Sequence, residues 1–386
     1  MDSRIHRGGA AIALLRDEFF VGAWERLCAA CAWATGYQTP AFALPWYEAY
    51  ADTAEPLLLV SQSAGSDEID GLLPLAVDRN SGELLNAGAH QAEYHCWIAR
   101  GGLGDRFILS ALALLRERFP KASLRFRYLP PDCPLAWLDG PGGLHRLAER
   151  REVARPLMTI GGEHEIAAKL RKKGNKSRIN RLRDICGGEL ASRTVTSQTE
   201  LAGLIDEIAA NYDSRQEAMN DVRPFGDDPR KKDFHLRLLR SGVLHAFVLR
   251  AGESMIAAIL CVKDKNTLSV GVLSHPAALS QYSPGKFGML YLAHEAARQG
   301  YRTIDLTPGG AWKDRFATDH DSVTEITIRF SAMQAAVAAM RERALSSTKQ
   351  LLAAAGVTPQ EIRRLHARLA QGAARHIEEV DGRQVL

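Results

Sequence analysis

At 386 residues, 46% of them hydrophobic and 24% charged, the chain has the makeup of a folded globular protein, and its length favours two domains over a single core. The formal charge of +4 is too mild to argue for a nucleic-acid partner. No apolar run reaches the roughly 20 residues that a bilayer span requires.

The opening stretch MDSRIHRGGAAIALLRDEFF has an apolar patch too short for a secretory core and no small-residue cleavage site, so a cytoplasmic location is expected. Two helical patterns follow, FFVGAWERLCAACAWATG and PAFALPWYEAYADT, the second started by Thr39-Pro40. PLLLVSQS and IDGLLPLAVD flank the polar turn AGSDE and read as an antiparallel hairpin. RFILSALALLRERFP is amphipathic at helical spacing, and SLRFRYLP alternates at period 2. The six cysteines are scattered. Only Cys28 and Cys31 form a CxxC, and without a second pair or a nearby histidine they read as buried small residues, so no metal is expected.

A Gly pair at 161–162 opens a new unit. It predicts a basic helix over HEIAAKLRKKGNKSRINRLRDI, a strand LASRTVTS, helices over QTELAGLIDEIAANYDSRQEAM and DDPRKKDFHLRLLRSG, and three strands, VLHAFVLRAG, SMIAAILCVKDK and NTLSVGVLSHP. A helix after SPGKFG, the strand YRTIDLTP and a closing run SVTEITIRF complete it. Both halves run antiparallel strands, helix, strand, which suggests a duplicated α+β unit. From 331 the signal is purely helical, with Thr358, Pro359 and Glu361 as a start signal for the second helix; a packing brace, a partner-binding arm or a dimer element would each use such helices. The expected domains are 1–155, 156–330 and the extension 331–386.

The stretch QYSPGKFGMLYLAHEAARQGYRTIDLTPGG, residues 281–310, puts a Pro-Gly turn directly before a helix. A helix start carries unpaired N–H groups and a positive dipole end, so Gly285 and Gly288, by removing bulk, would let a phosphate approach, with Lys286 as its charge partner. The competing reading is an ordinary turn ahead of a core helix.

The segments TPAFALPWYEAYAD, IDGLLPLAV, RINRLRDI and above all YSPGKFGMLYLAHEAARQGYRTIDLTPGGAWKDRF resemble the CelD/BcsL-type branch of the GNAT acyltransferases, tandem-GNAT proteins akin to the FemAB group. The likeness runs over roughly the first 330 residues. It implies two GNAT folds with mixed, mostly antiparallel sheets, an acyl-CoA such as acetyl-CoA in the second, and transfer of the acyl group to an amine, commonly in envelope or exopolysaccharide assembly. By position, Ser283, Pro284, Gly285, Lys286, Phe287 and Gly288 fall on the phosphate-binding turn, Asp305 on the acid that ends the following strand, and Lys313 on the basic residue after a Gly pair. Trp312 stands where the group more often carries a tyrosine.

An amine acceptor must lose a proton before it attacks a thioester, which calls for a carboxylate or imidazole. Asp305 and His275 are expected at strand ends facing one cleft, Gly271 marks a bulge that would free an oxyanion donor, and Tyr282 is the candidate acid for the departing thiolate. Structural readings stand beside these: Asp305 paired with Lys313 or Arg315, His275 as a turn residue, Tyr282 as packing. The basic helix, with Lys169, Arg171, Lys172, Lys173, Lys176, Arg178, Arg181 and Arg183 over an apolar stripe, is either a solvated face or a surface for an anionic acceptor, through Arg178 among others. Tyr212 and Arg215 share a helix face that would read sugar hydroxyls, unless they are ordinary structure.

The expectation is therefore an acyl-CoA-dependent N-acyltransferase for a saccharide precursor, its acceptor a small or lipid-linked amine, working in the cytoplasm or at the inner-membrane surface. The alternatives are transfer to a lipid amine, a FemAB-like transfer from aminoacyl-tRNA, and a nucleotide- or membrane-sensing protein without turnover.

Overall fold

The computed structural model describes residues 3–63, 65, 68–139, 146–337 and 340. Residues 1–330 form one compact unit and 331–386 a second. In the second, residues 332–337 are helical, and the expected helix start at Thr358, Pro359 and Glu361 lies outside the described residues.

The first sheet is five-stranded and antiparallel. It runs β1 (Ser3–Arg7), β2 (Ala54–Gln62), β3 (Ile69–Asp78) and β4 (Leu84–Asn86), with β5 (Ile98–Ala99) also on β3. The hairpin read from the sequence is β2–β3, which pairs Leu59 with Leu73. Helices α1 (Gly9–Arg16), α2 (Glu18–Ala30), α3 (Pro40–Ala49) and α4 (Gly104–Arg118) accompany it. Asp17 starts α2 by accepting the Phe19 amide, and Pro40 takes the first turn of α3, where its missing N–H is no loss.

The second sheet has eight strands in the order β6 (Ser123–Leu129), β13 (Asp319–Arg329), β7 (Ala148–Thr159), β12 (Thr303–Asp305), β11 (Thr267–Ser274), β10 (Ser254–Asp264), β9 (Leu244–Ala251), β8 (Leu190–Val195). Every neighbouring pair is antiparallel except β11–β12, which is parallel. Helices α5 (Glu163–Arg171), α6 (Lys173–Cys186), α7 (Gln198–Asn220), α8 (Arg230–Arg240) and α9 (Pro284–Arg298) complete the unit.

Successive residues of a strand point to opposite faces, and in β9 and β10 both faces are buried. Ala246, Val248, Ala258 and Leu260 join one core with the first sheet, α7 and α8. Phe247, Leu249, Ile259 and Cys261 join a second core with α5, α6 and α9. Burial on both sides explains the almost unbroken apolar runs of these strands.

Two sequence expectations need correcting. The basic helix is not continuous: Lys172 takes an extended conformation (φ −53°, ψ 136°) between α5 and α6. The break lets the Asn175 side chain donate to the Lys169 carbonyl at 2.7 Å, satisfying a group that the end of α5 leaves open. The second is an omission: β7, a 12-residue strand that ends in PLMT, has no place in the sequence expectations. Its start, AERREV, is so charged and exposed that no apolar alternation marks it.

Candidate functional site

Backbone pairing between β11 and β12 covers three residue pairs, from Thr267–Thr303 to Ser269–Asp305. One residue further along β11, its register with β10 jumps: Leu260 faces Val272 and Cys261 faces Val270. Gly271 is the extra residue of that bulge. From there the outer edge of β11 has no strand partner among the described residues, so its amides face the gap that opens between β11 and β12.

The far end of the gap is the start of α9. Ser283 takes the N-cap position in the left-handed region (φ 60°) and gives no side-chain cap; its carbonyl accepts from the Lys286 and Phe287 amides and Pro284 has no N–H, which leaves the Gly285 amide as the bare donor of the first turn. Gly285 lies under the His275 ring; a Cβ there would stand 3.2 Å from both His275 Cδ2 and Leu273 Cδ2. The Lys286 ammonium donates to Asn175 Oδ1 at 2.7 Å, which ties the start of α9 to the break between α5 and α6. Burial, then the nearby charges of Arg178 and Lys172, lower the Lys286 pKa. Three cations therefore surround one uncapped helix start, a setting that favours an anion.

At the near end, Asp305 is 2% exposed. It accepts hydrogen bonds from Tyr94 Oη at 2.6 Å, the Thr307 amide at 2.7 Å and Arg155 Nη1 at 3.4 Å. Burial raises its pKa, against the pull of Arg155, Tyr94 and Thr307. Arg155 also grips Asp321 with two nitrogens. Thr307 sits at φ 61°, an uncommon conformation for a β-branched residue. Lys313 holds it there, its Nζ donating to Thr307 O at 3.0 Å, Thr307 Oγ1 at 2.9 Å and Pro308 O at 3.3 Å. The cation on Asp305 is thus Arg155, whereas the sequence pointed to Lys313 or Arg315.

The expected residues separate into groups. Ser269 is level with Asp305, so His275, six residues further on and just past the end of β11, lies on the order of 20 Å away; the two mark opposite ends of the gap. His275 has Arg215 for a neighbour, and burial followed by that guanidinium lowers its pKa. Arg215 in turn lies over the Tyr212 ring at 5.9 Å. Arg178 joins the phosphate end beside Lys286. Pro284, Phe287 and Gly288 are buried: Phe287 is in the second core, and Gly288 lies against β10, where a Cβ would come within 2.8 Å of the Ala257 Cβ. Tyr282 and Trp312 are half-buried against the same core, Trp312 edge-on to Phe316 at 6.0 Å.

Tyr94 and Arg155 are the residues that sequence reading missed. Tyr94 lies 211 positions from Asp305, and Arg155 belongs to the charged strand β7; no local pattern links either to the acid.

Among the described residues no group of three or more His, Cys, Asp or Glu side chains is placed to hold a metal, and no helix is long and apolar enough to cross a membrane. The family model for the acetyltransferase (GNAT) domain matches residues 169–316. No curated protein matches the sequence. Among solved structures, a conserved protein of unknown function from Bacteroides thetaiotaomicron is similar at a TM-score of 0.52 and 12% identity, over 80% of this chain and 97% of that one. FemX is similar at a TM-score of 0.51 and 9% identity, over 81% and 94%. A tandem GNAT protein of the clavulanic acid pathway aligns over 86% and 99% at a TM-score of 0.42 and 12% identity. The bulged strand, the gap beside it and the helix that follows all lie within residues 169–316, the segment that matches the GNAT acetyltransferase domain.

Proposed function

We propose that the protein transfers an acyl group, acetyl in the first instance, from an acyl-CoA to the amino group of a saccharide precursor, as in the CelD/BcsL-type branch of its fold. One observation carries this: the Gly271 bulge opens β11 on the side of the gap that leads to the bare, cation-ringed start of α9. The diphosphate of the cofactor would lie on the Gly285 amide at the start of α9, beside Lys286, Arg178 and Lys172. Its extended arm would follow the free edge of β11, bringing the thioester carbonyl to the amides at the bulge. Donors fixed in advance at such a point stabilise the oxyanion that forms on attack. The amine nitrogen bonds to the carbonyl carbon, the C–S bond breaks, and the thiolate takes up a proton, for which Tyr282 is the proposed donor. Asp305 serves as an orienting group, holding Tyr94, Arg155 and the Thr307 turn; His275, held neutral, packs under the phosphate end.

The acceptor is proposed to carry a phosphate or diphosphate of its own. In support, the exposed face of α6 offers a shallow groove of about 510 Å³ lined by Lys173, Lys176, Ser177, Asn180, Arg181 and Asp184. A nucleotide- or lipid-linked amino sugar fits that charge pattern, in the cytoplasm or at the membrane surface. Tyr212 and Arg215 would then contact the sugar.

Isothermal titration with acetyl-CoA and longer acyl-CoAs is the direct test. Binding with micromolar affinity is expected, and none at millimolar ligand refutes the proposal. Thiol release in the presence of amino sugars, sphingoid bases and aminoacyl-tRNA then separates the acceptor classes.

A further inference from the structure

Glu93 lies one residue before Tyr94, at the same end of the gap. Its Oε2 is buried and has no hydrogen-bond donor among the described residues. Arg127 Nη2 stands 3.4 Å from it as an ion pair, and that guanidinium also lies 5.4 Å over the Tyr128 ring. The charge of Glu93 is felt by Lys313 on the turn after β12, Lys231 on α8, Tyr212 on α7 and Tyr37, so polar side chains cluster around it. Tyr37 packs edge-on against Tyr94 at 5.8 Å, and Tyr94 is bound to Asp305.

The two carboxylates of this cluster differ in one respect. Asp305 has three hydrogen-bond donors, whereas the buried Glu93 Oε2 has the Arg127 ion pair and no hydrogen bond among the described residues. Native proteins rarely leave a buried acceptor so, because the lost hydration is not replaced, and such atoms call for an explanation. Lys313 cannot supply the donor, since its hydrogens go to Thr307 and Pro308.

We infer that Glu93 is the base of the transfer, its Oε2 accepting the proton that the acceptor's ammonium loses before the nitrogen bonds to the thioester carbon. This rests on the acyl-transfer reading above and names the group that completes it. The cations of the cluster reinforce the role. Arg127, Lys313 and Lys231 disfavour a second positive charge, so an incoming ammonium is pressed to give up its proton, and the carboxylate is where that proton goes. Bonds and protons balance: the ammonium gives one proton to Glu93, which solvent later removes; the N–C bond then forms as the C–S bond breaks, the thiolate takes the Tyr282 proton, and the second N–H proton of the nitrogen restores Tyr282.

The test is Glu93→Gln, which keeps the shape, assayed by thiol release from acetyl-CoA with glucosamine, ethanolamine and sphingosine between pH 6 and 9.5. A loss of roughly 100-fold or more at pH 7 is expected, narrowing as pH approaches the amine's own pKa and the free base becomes abundant, with acetyl-CoA affinity unchanged. Glu93→Asp should fall between the two. A deficit of the same size at every pH, or none, overturns the assignment. So does a melting temperature lower by 5 °C or more in Glu93→Gln, which would make Glu93 a structural partner of Arg127. If acetyl-CoA fails to bind even the unmodified protein, it is the acyl-transfer reading that falls, and the two failures are thereby told apart.

Discussion

The hydroxyl of Tyr94 donates to Oδ2 of Asp305 across 2.6 Å, joining the loop ahead of β5 to the last residue of β12. The acid is 2% exposed and the tyrosine 1%. Removing the donor leaves a buried carboxylate with one bond fewer, for which the general cost is about 2 kcal/mol. Tyr94→Phe is therefore expected to melt a few degrees lower and to lose tenfold or more in transfer, because the Thr307 turn loosens, while acetyl-CoA affinity holds. Equal activity in Tyr94→Phe and wild type would contradict the orienting role given to Asp305.

Lys286 gives a second prediction. Its ammonium is mostly solvated, so its contribution to anion binding is screened. Lys286→Ala should weaken acetyl-CoA binding roughly three- to tenfold at low salt, and the difference should fade as ionic strength rises toward about 1 M. Calorimetry at two salt concentrations checks both halves of the statement. A loss indifferent to salt would mean that the lysine acts by shaping the Asn175 contact.

The two glycines of the turn should part company. At Gly288 a new Cβ would meet the Ala257 Cβ at 2.8 Å, an atom anchored to a core strand, so α9 must shift. Overpacking of that kind costs about 1–3 kcal/mol, only part of which the better helix propensity of alanine offsets. At Gly285 the obstacles are the tip of the His275 ring and a leucine methyl, at 3.2 Å, and both can yield. Gly285→Ala should thus melt within about 1 °C of wild type, given that such shifts stay near a few tenths of a kcal/mol, yet bind acetyl-CoA more weakly. Denaturation midpoints and titrations on the two variants test the contrast.

Acid stability follows from His95 and His235. Burial pushes each from the ordinary 6.5 down to about 4. Between those values the unfolded chain binds protons that the folded chain refuses, so stability falls as pH drops from 6.5 toward 4, by about 3 kcal/mol for each group. Urea midpoints at pH 7 and pH 5 should differ markedly. His235 bonds the Lys231 carbonyl through Nδ1 at 2.7 Å, and His235→Gln, which retains a donor, should reduce the acid sensitivity by about half. An unchanged slope would assign the effect to other groups.

Much of this architecture is legible in the sequence wherever burial imposes a period. Strands β9, β10 and β11 announce themselves through apolar runs, α9 through its Pro-Gly start, and the bulge through Gly271 inside a β-branched stretch. What escapes is whatever long-range pairing alone decides. The charged half of β7 carries no alternation because its side chains meet solvent, and it is a strand only because β13 pairs along it from Leu157–Asp319 to Ala148–Ile328. The break at Lys172 has a local signal in the poor helix formers Gly174 and Asn175, which the run of basic residues on either side obscures, and its reason is the side chain of Asn175. The partners of Asp305 lie 150 and 211 positions away, and a single sequence offers no means of joining them.

The seating of β7 between β12 and β13 bears on dissection and on biogenesis. A fragment cut to the GNAT segment would lack that strand and expose a raw hydrogen-bonding edge of β12, inviting aggregation. During translation, likewise, the eight-stranded sheet stays incomplete until β13 has left the ribosome, so the protein should ripen late, as one cooperative piece.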